Sequence, residues 1–187
     1  MFWHFRTIKH TPHRIEIFVD RIEQLFNSMD PSPFQQRDLD HDAEEFMVSW
    51  MQEFPLRDPV ELVIYLNQQP TGHSDLRKMV ETAVHNYFTY RAKLKWLDFR
   101  RLLKEGRTSL VIGLTFLGAC LVTRELLRQL QPGTLQVIAR ESLIIAGWVA
   151  MWQPIQIFLY EWWPLLRIGR FYEKMSRMRV ELQRPAG

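Results

Sequence analysis

The sequence predicts an α+β domain of two or three strands plus helices, followed by an α-helical hairpin that crosses a membrane twice. Three observations lead to this fold class. Residues 1–106 of the 187-residue chain are rich in charge and in turn-forming residues. Two apolar runs follow, at Thr108–Thr123 and Leu143–Trp163. The pair Pro132-Gly133 separates these runs and suits a turn between two neighbouring helices.

The composition limits the kinds of protein that this chain can be. Its length leaves room for one modest domain plus extra helices. The 24 Lys and Arg against 21 Asp and Glu give a net charge of +3, so nucleic-acid binding would need a local basic stripe. Cys120 is the single cysteine, which excludes an intrachain disulfide framework and a cysteine-based zinc site. We expect its thiol to pack within the apolar run that contains it.

The amino-terminal segment lacks the pattern of a signal peptide. Its first fourteen residues have no continuous apolar stretch of sufficient length, and no small-residue cleavage pattern follows. We therefore expect about the first hundred residues to stay in the cytosol. Residues 2–8 (FWHFRTI) fit an additional strand. His4, His10 and His13 lie close together in sequence, but solvated histidines are commoner than a weak metal site, and no metal or cofactor is predicted.

The first strand of the predicted domain covers residues 14–20. Ile15, Ile17 and Val19 alternate with other side chains, as in a half-buried strand. The same region also fits an amphipathic helix, because its apolar residues recur with a period near 3.6. The strand is preferred, with a short helix after it that ends before Asp30.

Turn signals divide the rest of this part into three elements. A helix is predicted around Phe46 and ends at Pro55. Val60–Asn67 is short and rich in β-branched and aromatic residues, which is typical of a strand. A long helix then runs from Ser74, a plausible cap, towards Lys104 and into the first apolar run.

An acidic segment precedes the helix around Phe46. Asp38, Asp40 and Asp42 alternate like the opening of a calcium loop, but Ala43 replaces the required glycine and Ser49 the required glutamate. Acidic side chains at a helix amino terminus stabilise it through the helix dipole. The segment therefore predicts helix capping rather than a calcium site.

Both apolar runs are predicted to span a bilayer. The sixteen residues of Thr108–Thr123 reach about 24 Å as a helix, somewhat less than the roughly 30 Å of a hydrocarbon core, and flanking arginines can snorkel outward. The second run is long enough by itself, and Trp162 and Trp163 suit an interfacial aromatic belt. The alternative is a buried hairpin in a soluble domain, which so small a protein could hardly enclose. We assign residues 107–128 to the first transmembrane helix, 129–142 to a short extracytosolic connection, 143–166 to the second transmembrane helix and 167–187 to a basic cytosolic tail.

The distribution of basic residues predicts the orientation of the hairpin. Seven Lys and Arg lie within residues 91–107 and six within 167–184, whereas only three lie between the runs. The positive-inside rule places both termini in the cytosol. Anionic head groups attract such residues. The predicted lipid head-group contacts are Arg101, Lys104, Arg107, Arg167 and Arg170.

Polar residues give the second span a distinct face. Gln153, Gln156, Tyr160 and Glu161 fall within a sector of about 140° on a helical projection. Pro154 leaves the carbonyl of Ala150 without its usual amide donor. The pore or helix-contact candidates are Gln153, Pro154, Gln156, Tyr160 and Glu161. This face could pack on the first span or on a neighbouring subunit, line a pore, or face lipid.

A stripe of small residues marks the first span. Thr115, Ala119 and Thr123 recur every four residues. Small residues at this spacing permit close approach of two helices in a membrane. We therefore predict helix packing through this stripe.

The sequence contains no recognisable catalytic signature. A phosphate-binding loop, a dinucleotide glycine pattern and the common hydrolase and zinc motifs are all missing. The leading hypothesis is a non-enzymatic integral membrane protein that assembles with itself or joins a larger membrane complex. One alternative is a small oligomeric channel or transporter that uses the polar face. The other is a membrane-anchored enzyme that uses the acidic segment Asp38–Glu45.

Two stretches carry a resemblance to a known group of proteins. FNSMDPSPFQQRDLDHDAEEF and GWVAMWQPIQIFLYEWWPL, together with the two-span plan, resemble uncharacterised bacterial two-span inner-membrane proteins. This resemblance covers most of the chain and implies a multi-pass protein of the bacterial inner membrane, without functional residues to carry over. The second stretch is also faintly similar to the calcium uniporter. The acidic pore motif of that family is missing, because Gln153 precedes Pro154 where a glutamate would be needed.

Overall fold

The computed structural model describes residues 12–67, 73–129 and 133–184. The chain divides into two compact units. The sheet unit comprises residues up to Leu94 together with those from Ile168 onward, and the hairpin unit comprises Lys95–Arg167. The additional strand proposed at residues 2–8 lies outside the described residues, as do His4, His10 and Pro132.

A three-stranded parallel sheet forms the centre of the sheet unit. Its strands are β1 (His13–Val19), β2 (Val60–Leu66) and β3 (Arg179–Gln183), in the order β1-β2-β3. β2 is central, and six of its seven residues are buried because both faces and both edges are covered. The prediction of an α+β fold with strands near residues 14–20 and 60–67 is confirmed.

The link from β1 to β2 contains two 3-10 helices and one α-helix. The 3-10 helices are Ile22–Leu25 and Phe34–Gln36, and α1 is His41–Glu53. Asp40 caps α1, since its carboxylate accepts a hydrogen bond of 3.1 Å from the backbone amide of Asp42. This capping confirms the preferred interpretation of the acidic segment.

The link from β2 to β3 contains the two long helices. α2 (His73–Arg128) starts in the sheet unit and continues into the hairpin unit. Its 56 residues measure about 84 Å, nearly three times the hydrocarbon thickness, so α2 is much longer than one span needs. The returning helix consists of four consecutive segments: α3 (Thr134–Ala150), α4 (Trp152–Gln156), a π-helical segment (Ile157–Glu161) and α5 (Trp162–Met175).

The third strand comes from the segment that the sequence assigned to a basic tail. Residues 179–183 pair in parallel with β2, with Val180 opposite Leu62 and Leu182 opposite Ile64. Val180 is completely buried, while Arg179 is exposed. A five-residue strand with one buried apolar residue and charged neighbours resembles a charged tail in sequence, which explains why the strand was not predicted.

The core of the sheet unit lies where the helices cover the sheet. Fully buried side chains come from each strand and from α1, the first part of α2 and the end of α5. The largest of them include Ile15, Leu62, Met47, Phe88 and Met175. The first part of α2 and the end of α5 therefore pack in one apolar core.

Candidate functional site

Three glycines lie at the contact between the two helices of the hairpin unit. A Cβ at Gly106 would lie 2.8 Å from Ile157, one at Gly113 would lie 2.9 Å from the carbonyl oxygen of Ala150, and one at Gly147 would lie 2.7 Å from Leu117. The helices are antiparallel, because Gly106, Gly113 and Leu117 along α2 meet residues of decreasing number on the returning helix, namely Ile157, Ala150 and Gly147. Their axes approach closely only because these positions have no side chain.

Pro154 and Gly113 belong to the same part of this contact. Pro154 has no amide hydrogen, so the carbonyl of Ala150 loses its usual donor within the helix. That oxygen points at Gly113 on the facing helix, at a distance that a Cβ atom would not tolerate. The proline is itself buried in the hairpin, unlike the polar residues that surround it in sequence.

The other predicted residues of the polar face lie outside this contact. Gln153 and Gln156 are exposed, and Tyr160 is 70% exposed. The Gln156 Nε2 donates a hydrogen bond of 2.8 Å to Oε1 of Glu161, across the π-helical segment. The side-chain amide of Gln153 makes no hydrogen bond within the described part of the chain. The hairpin therefore uses Pro154 internally and leaves the neighbouring amide groups on its outer surface.

The small-residue stripe of the first span also lies on the outer surface. Thr115, Ala119 and Thr123 are all exposed, and they lie on a different side of α2 from Gly113. The hydroxyl of Thr115 donates to the carbonyl of Val111 at 2.8 Å, so it needs no partner from another helix. Within the hairpin, the close approach is made by glycines rather than by this stripe. Cys120 is buried there, as predicted from sequence.

The most apolar stretch of each long helix is largely uncovered. Both are long and apolar enough to cross a membrane. Only 11% of the most apolar stretch of α2, and 17% of that of the returning helix, is buried. The core helix of a soluble protein is mostly buried, so this low burial favours contact with lipid or with another protein.

The predicted head-group residues are all exposed. Arg101, Lys104, Arg107 and Arg167 belong to the hairpin unit, and Arg170 belongs to the sheet unit. Exposed cationic side chains are attracted by anions at a membrane surface.

A buried carboxylate in the sheet unit was missed by the sequence analysis. Glu44 on α1 is 6% exposed. Its Oε1 accepts from Arg91 Nε at 2.8 Å, from Arg91 Nη2 at 2.7 Å and from the Tyr172 hydroxyl at 2.8 Å, and its Oε2 accepts from the Tyr87 hydroxyl at 2.6 Å. We call these four residues the Glu44 cluster. It joins α1 to α2 and α5, the two helices that lead to and from the hairpin unit.

The polar groups of the Glu44 cluster are hydrogen-bonded to one another, as in a structural site. The guanidinium of Arg91 lies 6.0 Å from the ring centre of Tyr87 and 5.6 Å from that of Tyr172, so the rings and the carboxylate together surround it. Burial, followed by the hydrogen bond to Glu44, raises the pKa of both tyrosines above its ordinary value. The hydroxyls therefore stay protonated and act as donors. Such an arrangement stabilises a helix junction, and it presents no free base or nucleophile.

Only the acidic segment that contains Glu44 was singled out from the sequence, and its contacts with the other three residues were not predicted. Glu44 belongs to the acidic segment Asp38–Glu45, for which the sequence predicted helix capping. Tyr87 and Arg91 are four residues apart and therefore share one face of α2, which was a usable signal. Tyr172 lies 128 positions from Glu44, and no local pattern connects them.

Metal-binding groups are absent from the part of the chain that the structure describes. No three His, Cys, Asp or Glu side chains in residues 12–67, 73–129 and 133–184 are arranged to hold an ion. His13 instead bonds to Asp58 at 3.2 Å and stacks on Phe54 with ring centres 4.4 Å apart. Comparisons of the chain with models of protein families, with curated proteins and with solved structures found no match.

Proposed function

We propose that the chain is a non-enzymatic integral protein of the bacterial inner membrane that assembles with itself through the outer face of its second span. The observation that carries the proposal is the uncovered apolar surface of the two long helices. With 11% and 17% of their apolar stretches buried, lipid or protein must cover the remainder. An apolar surface of this extent is otherwise a strong aggregation liability.

The sheet topology supports a two-span arrangement in the membrane. β2 precedes both apolar helices and β3 follows them, yet the two strands are hydrogen-bonded neighbours. A chain that leaves from β2 and returns to β3 must therefore cross the bilayer an even number of times. Two crossings by one helical hairpin meet this condition. The connection between the two apolar runs is extracytosolic in this proposal.

The basic residues support a cytosolic sheet unit. Seven Lys and Arg precede the first apolar run within residues 91–107, and six follow the second within 167–184. The positive-inside rule assigns these flanks to the cytosol. Both termini are therefore cytosolic in this proposal.

Self-assembly is supported by the polar side chains on the outer surface of the hairpin. Gln153 lies at the middle of the second apolar run, and its amide is exposed without a hydrogen-bond partner in the described chain. Lipid tails offer no partner to an amide, whereas the same amide of a second copy offers both a donor and an acceptor. Interhelical hydrogen bonds of this kind contribute roughly 0.6–2 kcal/mol each.

Membrane integration is tested by alkaline carbonate extraction of membranes from cells that make the full chain. We expect the protein to remain in the membrane pellet and to be released only by detergent. Release by carbonate, alongside retention of a known integral protein, would contradict the proposal at its first step. The sheet unit alone does not supply the control, because its two parts flank the hairpin.

Assembly is tested by disulfide cross-linking in native membranes. Cys120→Ala provides a cysteine-free background, into which Gln153→Cys or Ile155→Cys is introduced. These two positions differ in depth by about 3 Å but point about 160° apart around the helix. Both side chains are exposed in the single chain.

We expect a cross-linked dimer from the Gln153 variant and little from the Ile155 variant. Equal cross-linking at both positions would indicate random collision, and monomers from both would overturn self-assembly. The mass of the unmodified protein in nanodiscs provides an independent measure of the number of copies. An axial water-filled passage lined by Gln153 in that particle would favour the channel alternative.

A further inference from the structure

We propose that a basic groove in the sheet unit binds the phosphate group of an anionic ligand. The groove lies where the loop after α1 meets the end of α5 and the turn into β3, and it has a volume of about 770 Å³. This size is within the range of small-molecule sites, roughly 300–1,000 Å³. The residues that line it are Leu56, Arg57, Pro59, Val60, Arg170, Glu173, Lys174, Arg177, Met178 and Arg179.

The charge of the groove strongly favours an anion. Five of its lining side chains are cationic and one is a carboxylate. Arg177 pairs with that carboxylate, Glu173, at 3.0 Å, and Arg179 pairs with Glu181 at 2.6 Å. Within the described residues, Arg57 and Arg170 have no carboxylate in ion-pair range. Two guanidinium groups are thus available to a ligand.

Lys174 adds a partly dehydrated charge to the groove. Its Nζ donates to the carbonyl of Pro55 at 3.1 Å. Burial lowers the pKa of Lys174, while the nearby Asp58 carboxylate opposes this effect. That carboxylate is itself bonded to His13 at 3.2 Å. An ammonium that has lost hydration gains more from an incoming anion than one on the open surface.

The side-chain types favour an oxyanion such as phosphate over a simple halide. Arginine presents a planar fork of donors that matches two oxygens of a phosphate, and four of the five cations are arginines. Leu56, Pro59 and Met178 provide apolar contacts beside the charges. The ligand chemistry is therefore a phosphate ester with an apolar portion. A phospholipid head group and a soluble phosphate ester both satisfy this description.

The inference depends on the sheet unit and is independent of self-assembly. It is tested with the full chain in nanodiscs of phosphatidylcholine only, so that the membrane itself offers no net anionic lipid. Two probes are titrated: soluble short-chain phosphatidylglycerol and glycerol phosphate. Binding is followed as a saturable rise in the midpoint of thermal unfolding and confirmed by calorimetry.

The test compares two double variants with the same change in charge. Arg57→Gln with Arg170→Gln removes the two arginines that have no carboxylate partner. Arg77→Gln with Lys78→Gln removes two exposed cations of α2 in the same unit, away from the groove. The unfolding midpoint without probe shows whether each variant is folded.

We expect the groove variant to bind at least about tenfold more weakly than the unmodified chain, since it loses charge-assisted hydrogen bonds, and the α2 variant to bind within about twofold. Saturation by the phospholipid alone identifies a lipid head group, and saturation by glycerol phosphate identifies a soluble ester. No saturable binding of either probe would overturn the proposal. An equal loss in both variants would also overturn it, because it would show unspecific attraction to charge.

Discussion

Glu44 shows how much a single side chain contributes to this molecule. Its carboxylate is buried, and each of its oxygens has a strong donor. The desolvation cost of such a group is offset only while the donors remain in place. Arg91 is about one third exposed. Water would therefore offset only part of the loss of stability if Arg91 lost the Glu44 carboxylate. The junction of α1, α2 and α5 therefore depends on one carboxylate.

We predict that Glu44→Gln lowers the free energy of unfolding by about 2–4 kcal/mol, because it leaves Arg91 without its counter-charge in a partly buried site. Denaturant unfolding of the detergent-solubilised protein, followed by tryptophan fluorescence, measures the change. Glu45→Gln is the matched control, since Glu45 is the next residue and is exposed. Equal effects from the two substitutions would contradict a specific role for the cluster.

At the scale of elements, glycine residues determine which faces of the two hairpin helices pack together. The sequence predicted packing through the stripe of Thr115, Ala119 and Thr123, whereas the structure uses the glycine stripe that contains Gly113. The glycine stripe makes the contact because the facing helix brings the carbonyl of Ala150 against it. A backbone atom cannot rotate away as a flexible side chain can. The packing is therefore sensitive to a single methyl group.

We predict opposite effects for two glycine-to-alanine substitutions in the same apolar run. Gly113→Ala places a Cβ 2.9 Å from a backbone oxygen and should destabilise the hairpin by about 1–3 kcal/mol. Gly118→Ala meets nothing within 4 Å and should be neutral or stabilising by up to about 1 kcal/mol, since alanine favours helix. The thermal unfolding midpoints in one detergent compare them. A destabilisation by Gly118→Ala as large as that by Gly113→Ala would argue against this contact.

At the scale of the whole molecule, the sheet restricts the topology of the membrane segment. β2 precedes the two apolar helices and β3 follows them, and the two strands pair in parallel, so both strands lie on the same side of any membrane that the helices cross. Parallel neighbours always need a crossover connection, and here that connection contains both apolar helices. The strand pairing and the distribution of charge therefore support the same proposed topology.

We predict that sites before and after the hairpin have the same accessibility to a membrane-impermeant maleimide. In the Cys120→Ala background, Met29→Cys and Arg177→Cys should react only after cell lysis, and Gln129→Cys should react in intact spheroplasts. All three positions are exposed, so burial does not limit the reaction. Reaction of Met29 and Arg177 from opposite sides would be incompatible with the β2–β3 pairing.

Local patterns predicted a large part of the fold. Alternation revealed β1, the β-branched run revealed β2, and Asp40 was recognised in the acidic segment that caps α1. The apolar runs were evident because each contains at least sixteen consecutive uncharged residues, which is a strong local signal. β3 was missed because its five residues carry little apolar content, and the Glu44 cluster was missed because its members are distant in sequence.

The sequence by itself determined which segments are apolar, where the main strands and helices lie and where the basic flanks occur, since each depends on neighbouring residues. Only the tertiary structure decided the parallel pairing of β3, the glycine face of the hairpin and the burial of Glu44. Each of these depends on the partner that a residue meets across the fold. Local periodicity places a residue on a face, but the packing free energy of the opposing element selects which face is used.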